Sequence, residues 1–250
     1  MQAPSGNIIA VNGVMAHPVV DTGRGALTTR LLSAAVLAPP VLAAVYVGPP
    51  YFDILVAIGA LVMAGEWSRL LGAGAGKLSW PAGRFLWLAC GFLYIGVPAL
   101  ALIWLRADED FGRGTVFWLL ALVWATDCGA YVFGRWIGGP KLAPALSPNK
   151  TWAGLIGGVA CAGATGSATA MVLGQGGVLT LGALSAVLGV VEQAGDLLES
   201  WIKRRCGVKD AGNLIPGHGG LLDRVDGLLA VALIVALISL AGDGSILRWL

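Results

Sequence analysis

The strongest constraint on this chain is a series of apolar runs, each about 20 residues long, recurring between residues 29 and 241. A helix needs roughly 20 apolar residues to cross a bilayer. In hydrocarbon every backbone N–H and C=O must be satisfied internally, which leaves helices or closed barrels. Runs this long in Leu, Ala, Val and Gly favour helices. With 57% hydrophobic and 12% charged residues and a mean hydropathy of +0.79, an ordinary soluble domain is excluded. The sequence predicts an all-α, polytopic helical membrane protein with seven, or eight, transmembrane helices. Seven spans fall at about 29–47, 51–70, 84–105, 114–136, 151–173, 178–203 and 222–241. Gly48–Pro49–Pro50 leaves room only for a tight reversal between the first two. Pro39, Pro40 and Pro98 lie inside spans, where neighbouring helices can absorb a kink.

Seven spans put the N-terminal tail and the loops after spans two, four and six on one side. Thirteen of the 16 Lys and Arg residues lie there, and only Arg106, Arg113 and Arg248 lie opposite. That asymmetry places the N-terminus and those loops in the cytoplasm. A bacterial-type cytoplasmic (inner) membrane is a separate expectation, which charge asymmetry does not itself supply. Three regions follow: a flexible cytoplasmic tail (1–28), N-terminal transmembrane helices (29–112) and a C-terminal transmembrane region (113–250) that holds most of the unusual polar residues. The tail lacks the order of a signal peptide. Cys90, Cys128, Cys161 and Cys206 make no CxxC pair, so neither a disulfide frame nor a zinc site is expected. Trp80, Trp104 and Trp201 stand near span ends as interfacial anchors. Gly154, Gly158 and Ala162 form a small-residue face suited to close packing within the bundle or in a homodimer.

Against this apolar background, the stretch from Glu192 to Asp226 is dense in charge. Charge in or beside a bilayer is costly and usually marks a substrate or ion site. Glu192, Asp196, Glu199 and Lys203 are spaced to share one helical face, and Asp223 and Asp226 share a face on the next span. Acids so gathered repel one another unless a cation sits among them. Carboxylates at one depth suit Mg²⁺, which takes one or two of them plus substrate phosphates. A buried ion-pair network, with Lys203 and Arg224 as counter-charges, would also use these residues. Between the two spans, Pro216–Gly217–His218–Gly219–Gly220 can turn backbone amides toward an anion. Lys203, Arg204, Lys209 and Arg224 surround that turn, so a polyphosphate is the expected ligand, although no Walker A pattern occurs. Asp127, Tyr131 and Arg135 recur every fourth residue toward the same side. Ser147–Pro148–Asn149–Lys150–Thr151 is expected to open the fifth span, as a phosphate-binding helix start or an ordinary N-cap. Asp108–Glu109–Asp110, on the opposite side, reads as a solvated turn.

Several of these segments together resemble one family. They are Ser200-x-Ile202-Lys203-Arg204, Lys209-Asp210-x-Gly212 and Ile215-Pro216-x-His218-Gly219-Gly220-x-x-Asp223-Arg224-Val225-Asp226. Asp127-x-x-Ala130-Tyr131-x-x-Gly134-Arg135 and Ser147-Pro148-x-Lys150-Thr151-Trp152 precede them in the matching order. The pattern resembles the phosphatidate cytidylyltransferases (CDP-diacylglycerol synthases), from about Trp118 to Gly227. The resemblance implies transfer of the cytidylyl (CMP) group from CTP to phosphatidic acid, giving CDP-diacylglycerol and pyrophosphate in phospholipid biosynthesis. It further implies Mg²⁺, with a monovalent ion such as K⁺, and a homodimer in the bilayer with no nucleic-acid partner. Carried onto these positions, Asp196, Asp223 and Asp226 would hold metal. Lys203 and Arg224 would join them in catalysis. Arg204, Lys209, Gly217, His218, Gly219, Gly220, Arg135, Ser147 and Lys150, with Lys203, would bind phosphates. Rival expectations are a CTP-dependent polyprenol or lipid kinase, which would release CDP, and an ion-coupled transporter.

Overall fold

The computed structural model describes residues 24–74, 83–174, 176–212, 214, 219–242 and 244–249. Among the described residues eight α-helices appear in the order α1 (Arg24–Val47), α2 (Tyr51–Gly74), α3 (Gly83–Gly91), α4 (Val97–Arg106), α5 (Gly112–Trp136), α6 (Trp152–Val172), α7 (Val178–Cys206) and α8 (Leu222–Ala241). All seven expected spans are helical, with α3 and α4 forming one of them. Six segments among the described residues are long and apolar enough to cross a membrane; α1 adds the shorter apolar stretch Ala35–Val47. The chain is an integral membrane protein built from helices. α1 begins at Arg24, five residues ahead of the expected boundary, and the tail before it lies outside the described residues.

The third span is continuous but uneven. α3 passes into α4 through a π-helical turn, Phe92–Gly96, in which Val97 N–H bonds back five residues to Phe92 O. Pro98 follows immediately, and a proline lacks the N–H that an α-helical turn needs. The wider turn absorbs that break, and such bulges re-aim the side chains they carry.

α6 packs extensively against α5 and α7 because its small residues let backbones approach, the usual route to association in lipid. A side chain at Gly158 would meet Thr126 O at 2.9 Å, and one at Gly154 would meet Ala130 O at 2.8 Å. Ala162 is fully buried. The small-residue face is thus used inside the bundle. The described core centres on Trp118, Leu119, Leu122, Leu181 and Leu188, and Trp118 Nε1 donates to Ser185 Oγ at 3.0 Å.

One departure from an all-helical chain lies between α5 and α6. Lys141–Ala143 (β1) and Ser147–Thr151 (β2) form an antiparallel hairpin, pairing Lys141 with Thr151 and Ala143 with Ser147. Ser147–Thr151 is therefore a strand and not a helix start. Pro148 fixes its own φ and pushes Ser147 toward extended backbone. The helix waits until Trp152, where Thr151 Oγ1 caps it by accepting from Gly154 N at 3.0 Å.

At the opposite end of the bundle, Arg106 donates to Val45 O at 2.7 Å, tying the α1–α2 reversal to α4. Asp108 and Asp110 pair with Arg248, so the acidic turn there anchors the C-terminal segment. All four cysteines are free. Trp104 and Trp201 are exposed at span ends, and Trp80 lies outside the described residues.

Candidate functional site

The expected stripe on α7 forms, and α8 lies against it. The two helices approach where both are glycine: a side chain at Gly195 would strike Ala230 at 2.7 Å, and one at Gly227 would strike Glu192 Oε1 at 2.7 Å. That closeness brings acids from both helices together. Asp196, Glu199 and Asp226 each offer a carboxylate oxygen, and the three oxygens lie within 4.8 Å of one another. Glu199 is 1% exposed, and its Oε1 has no hydrogen-bond partner among the described residues. A buried, unshared carboxylate oxygen beside two further acids fits a divalent cation with hard oxygen ligands.

Asp223 is placed differently. It accepts from Lys203 Nζ at 2.6 Å, from Gly220 N at 2.8 Å and from Ala211 N at 3.0 Å. Lys203 also lies 2.5 Å from Glu199 Oε2. Lys203 thus bridges the metal-type cluster and the 207–222 loop, and Asp223 organises that loop. α7 stops there because Gly207 takes the left-handed conformation (φ 75°) and closes the helix with bonds to Lys203 O and Arg204 O. Gly219 also has positive φ, at 89°, and Gly220 turns its amide onto Asp223 instead of leaving it open to an anion. Gly217 and His218 lie outside the described residues.

A second polar group adjoins the first. Lys150, from β2, bonds Asp196 Oδ2 at 2.6 Å and Gln193 Oε1 at 3.0 Å. Gln193 Nε2 in turn donates to Glu192 Oε2 at 2.9 Å. Lys150, Asn149, Gln193 and Asp196 line a polar pocket of about 200 Å³ with Asp127 and Tyr131. The hairpin therefore carries Lys150 into the site. Ser147 is half-buried at the start of β2, while Arg135, Arg204, Lys209 and Arg224 are exposed. Arg135 donates to Tyr131 at 3.3 Å and Arg204 to Val208 O at 3.0 Å.

Glu66, near the end of α2, escaped sequence reasoning. It is 2% exposed and accepts from Leu221 N at 2.9 Å and Leu222 N at 2.8 Å. A carboxylate there satisfies amides that α8 cannot pair internally and matches the positive end of its dipole. Gly212 and Gly220 both close on it; a side chain at Gly212 would meet Glu66 Oε1 at 2.6 Å. Only its position as an acid inside an apolar span could have flagged it. Since each hydrogen bond to a charged group is worth about 1.5–3 kcal/mol and Glu66 accepts two, Glu66→Ala should destabilise the protein by roughly 3–6 kcal/mol. Thermal unfolding in detergent measures this, and Glu66→Gln should lose less, because one of its two terminal atoms still accepts.

A helical membrane bundle with carboxylates, lysines and a glycine-bearing loop gathered together defines an integral membrane protein with an acid-rich polar site. More particularly, the chain belongs to the cytidylyltransferase family, whose model matches residues 82–241. A Brucella suis protein named phosphatidate cytidylyltransferase is 52% identical over 158 residues, covering 63% of this chain and 58% of the relative. The chain thus aligns with just over half of that protein's length. A Rickettsia bellii protein of the same name is 31% identical over 230 residues, covering 89% of this chain and 95% of its own. A Helicobacter pylori protein, also so named, is 42% identical over 142 residues, or 57% of this chain and 52% of its own.

Proposed function

We propose that this protein is a phosphatidate cytidylyltransferase. It would transfer CMP from CTP to phosphatidic acid and release CDP-diacylglycerol and pyrophosphate. The observation that carries the reading is the joined pair of polar groups: an acid cluster suited to a divalent cation, beside a lysine-lined pocket. The names of the Brucella and Rickettsia relatives support it.

The acceptor is a phosphate monoester, mostly dianionic at pH 7 because its second pKa is about 6. One of its oxygens attacks the α-phosphorus of CTP; the bond from that phosphorus to the bridging oxygen breaks, and pyrophosphate leaves. No general base is required. The site must hold two anions together and offset the charge that develops on the leaving group.

In this reading Asp196, Glu199 and Asp226 hold the divalent cation, with Mg²⁺ the fitting choice and K⁺ a further ion for the same acidic end. When bound, that cation supplies charge neutralisation of the phosphates and alignment for in-line displacement. Lys150 presents its ammonium to phosphate in the polar pocket. Lys203 holds Glu199 and Asp223 in place, and Asp223 fixes the loop through Ala211 and Gly220. Asp223 thereby acts as a positioning residue, a change from the metal role that the resemblance implied. Arg135, Ser147, Arg204, Lys209 and Arg224, with Gly219, complete the phosphate-binding rim; the phosphate role expected of Gly217 and His218 lies outside the described residues. The polar end faces the cytoplasm, where CTP is, and the protein sits in a bacterial inner membrane as a homodimer.

Purified protein with α-³²P-CTP, Mg²⁺ and phosphatidic acid tests this. Label should move into an organic-soluble lipid with release of pyrophosphate. Label that stays in CDP would instead identify a lipid kinase.

A further inference from the structure

Lys203 and Lys150 both touch the acid cluster, and they are held differently. Lys203 belongs to α7 and is buried between Glu199 and Asp223. Lys150 stands on β2, one residue before Thr151, which is buried and caps α6. Its backbone is therefore anchored, and its four-carbon stem is the part free to swing. The ammonium has two acceptors, Asp196 Oδ2 at 2.6 Å and Gln193 Oε1 at 3.0 Å. Asp196 is the looser partner: its side chain is 30% exposed, and its Oδ1 accepts only a long bond from Ser200 Oγ, at 3.4 Å. Gln193 is the firmer one. It is 4% exposed, and its Nε2 donates to Glu192 Oε2 at 2.9 Å. Glu192 is itself buried and wedged against Gly227 of α8.

Asp196 also belongs to the cluster with Glu199 and Asp226. One carboxylate cannot serve a divalent cation and an ammonium together without forcing like charges close in a poorly solvated place. Lys150 must then leave Asp196 whenever a divalent cation arrives. A fixed structural ion pair has no use for a second, buried acceptor. An ammonium that changes partner does, because Gln193 keeps it in the polar pocket after Asp196 lets go.

We infer that Lys150 is a built-in counter-charge for Asp196 that a divalent cation displaces, and that Gln193, braced by Glu192, is the positioning residue that holds the freed ammonium ready for a phosphate. Metal binding thus prepares the cationic wall of the pocket, and without metal the ammonium is already spent on Asp196. The inference deepens the cytidylyltransferase reading and rests on its metal-holding role for Asp196. Lysine acylation of the wild-type protein in detergent, read by peptide mass spectrometry, needs no variant. Relative to EDTA, Mg²⁺ alone should raise the acylation of Lys150 by about threefold or more, and added CTP should reverse the rise. Lys141, exposed on the same hairpin, should stay constant. Lys150 unmoved by saturating Mg²⁺, or an equal rise at Lys141, overturns the inference. Direct Mn²⁺ binding, followed by the EPR signal of the free ion, gives a second reading. Lys150→Gln should bind Mn²⁺ about threefold to fivefold more tightly than wild type, the size expected when a partly exposed ion pair no longer competes. Unchanged or weaker binding overturns the inference. Gln193→Leu should raise the KM for CTP by about fivefold with kcat within about twofold; a fall in kcat at unchanged KM removes the positioning role. Should wild type show the Mg²⁺ response yet form no labelled CDP-lipid, the functional reading fails and the exchange stands. Should it form the lipid while Lys150 ignores Mg²⁺, the exchange alone fails.

Discussion

Replacing Asp226 with asparagine is expected to lower the turnover of CTP-dependent lipid labelling by about 10²–10³-fold, the range seen when one preorganised electrostatic group is lost from an active site. The change removes one of three hard oxygen ligands and one negative charge, and little else. Gly227 N donates to Asp226 Oδ1 at 2.8 Å, and an asparagine oxygen can keep that bond. Metal activation should shift as well, with half-maximal Mg²⁺ rising by about tenfold or more. Stability should move the other way. Without a cation, Asp196, Glu199 and Asp226 repel one another, so the Asn variant should unfold at the same temperature as wild type or slightly above it in EDTA. Turnover within about threefold of wild type would remove Asp226 from the metal-holding set.

Sequence reasoning reached what depends on local periodicity and stopped where partners come from far along the chain. The span positions and the shared face of Glu192, Asp196, Glu199 and Lys203 were legible because a helix repeats every 3.6 residues. The pairing across helices was not. Which acid meets Asp196 depends on the close crossing of α7 and α8 at Gly195 and Gly227, and periodicity within one helix cannot say that Glu199 joins the cluster while Asp223 turns to Lys203. Glu66 reaches its amide partners over 155 and 156 residues of sequence, beyond any motif spacing. Ser147–Thr151 misled because a hydroxyl, a proline and a lysine ahead of an apolar run look like a helix start; the strand pairing with Lys141–Ala143 overrode that preference.

Lys203→Met should destabilise the protein by about 3–5 kcal/mol, the range for breaking a buried ion pair by removing one partner. The ammonium lies within 2.6 Å of both Glu199 and Asp223, so its loss leaves two carboxylates facing each other in a poorly solvated place. The loop should loosen with it, because Asp223 would no longer be held where Ala211 and Gly220 donate. Thermal unfolding in detergent should report the loss, and lipid labelling should fall by about 10²-fold or more. A double variant separates the two consequences. Lys203→Met with Glu199→Gln removes one of the stranded charges and should regain part of the lost stability, since residues in one network couple by roughly 0.5–3 kcal/mol. It should regain no activity, because Glu199 is itself a ligand in the proposed cluster. Recovery of turnover together with stability would mean that Glu199 serves only to pair Lys203, and the cation would then have to be held by Asp196 and Asp226 without it.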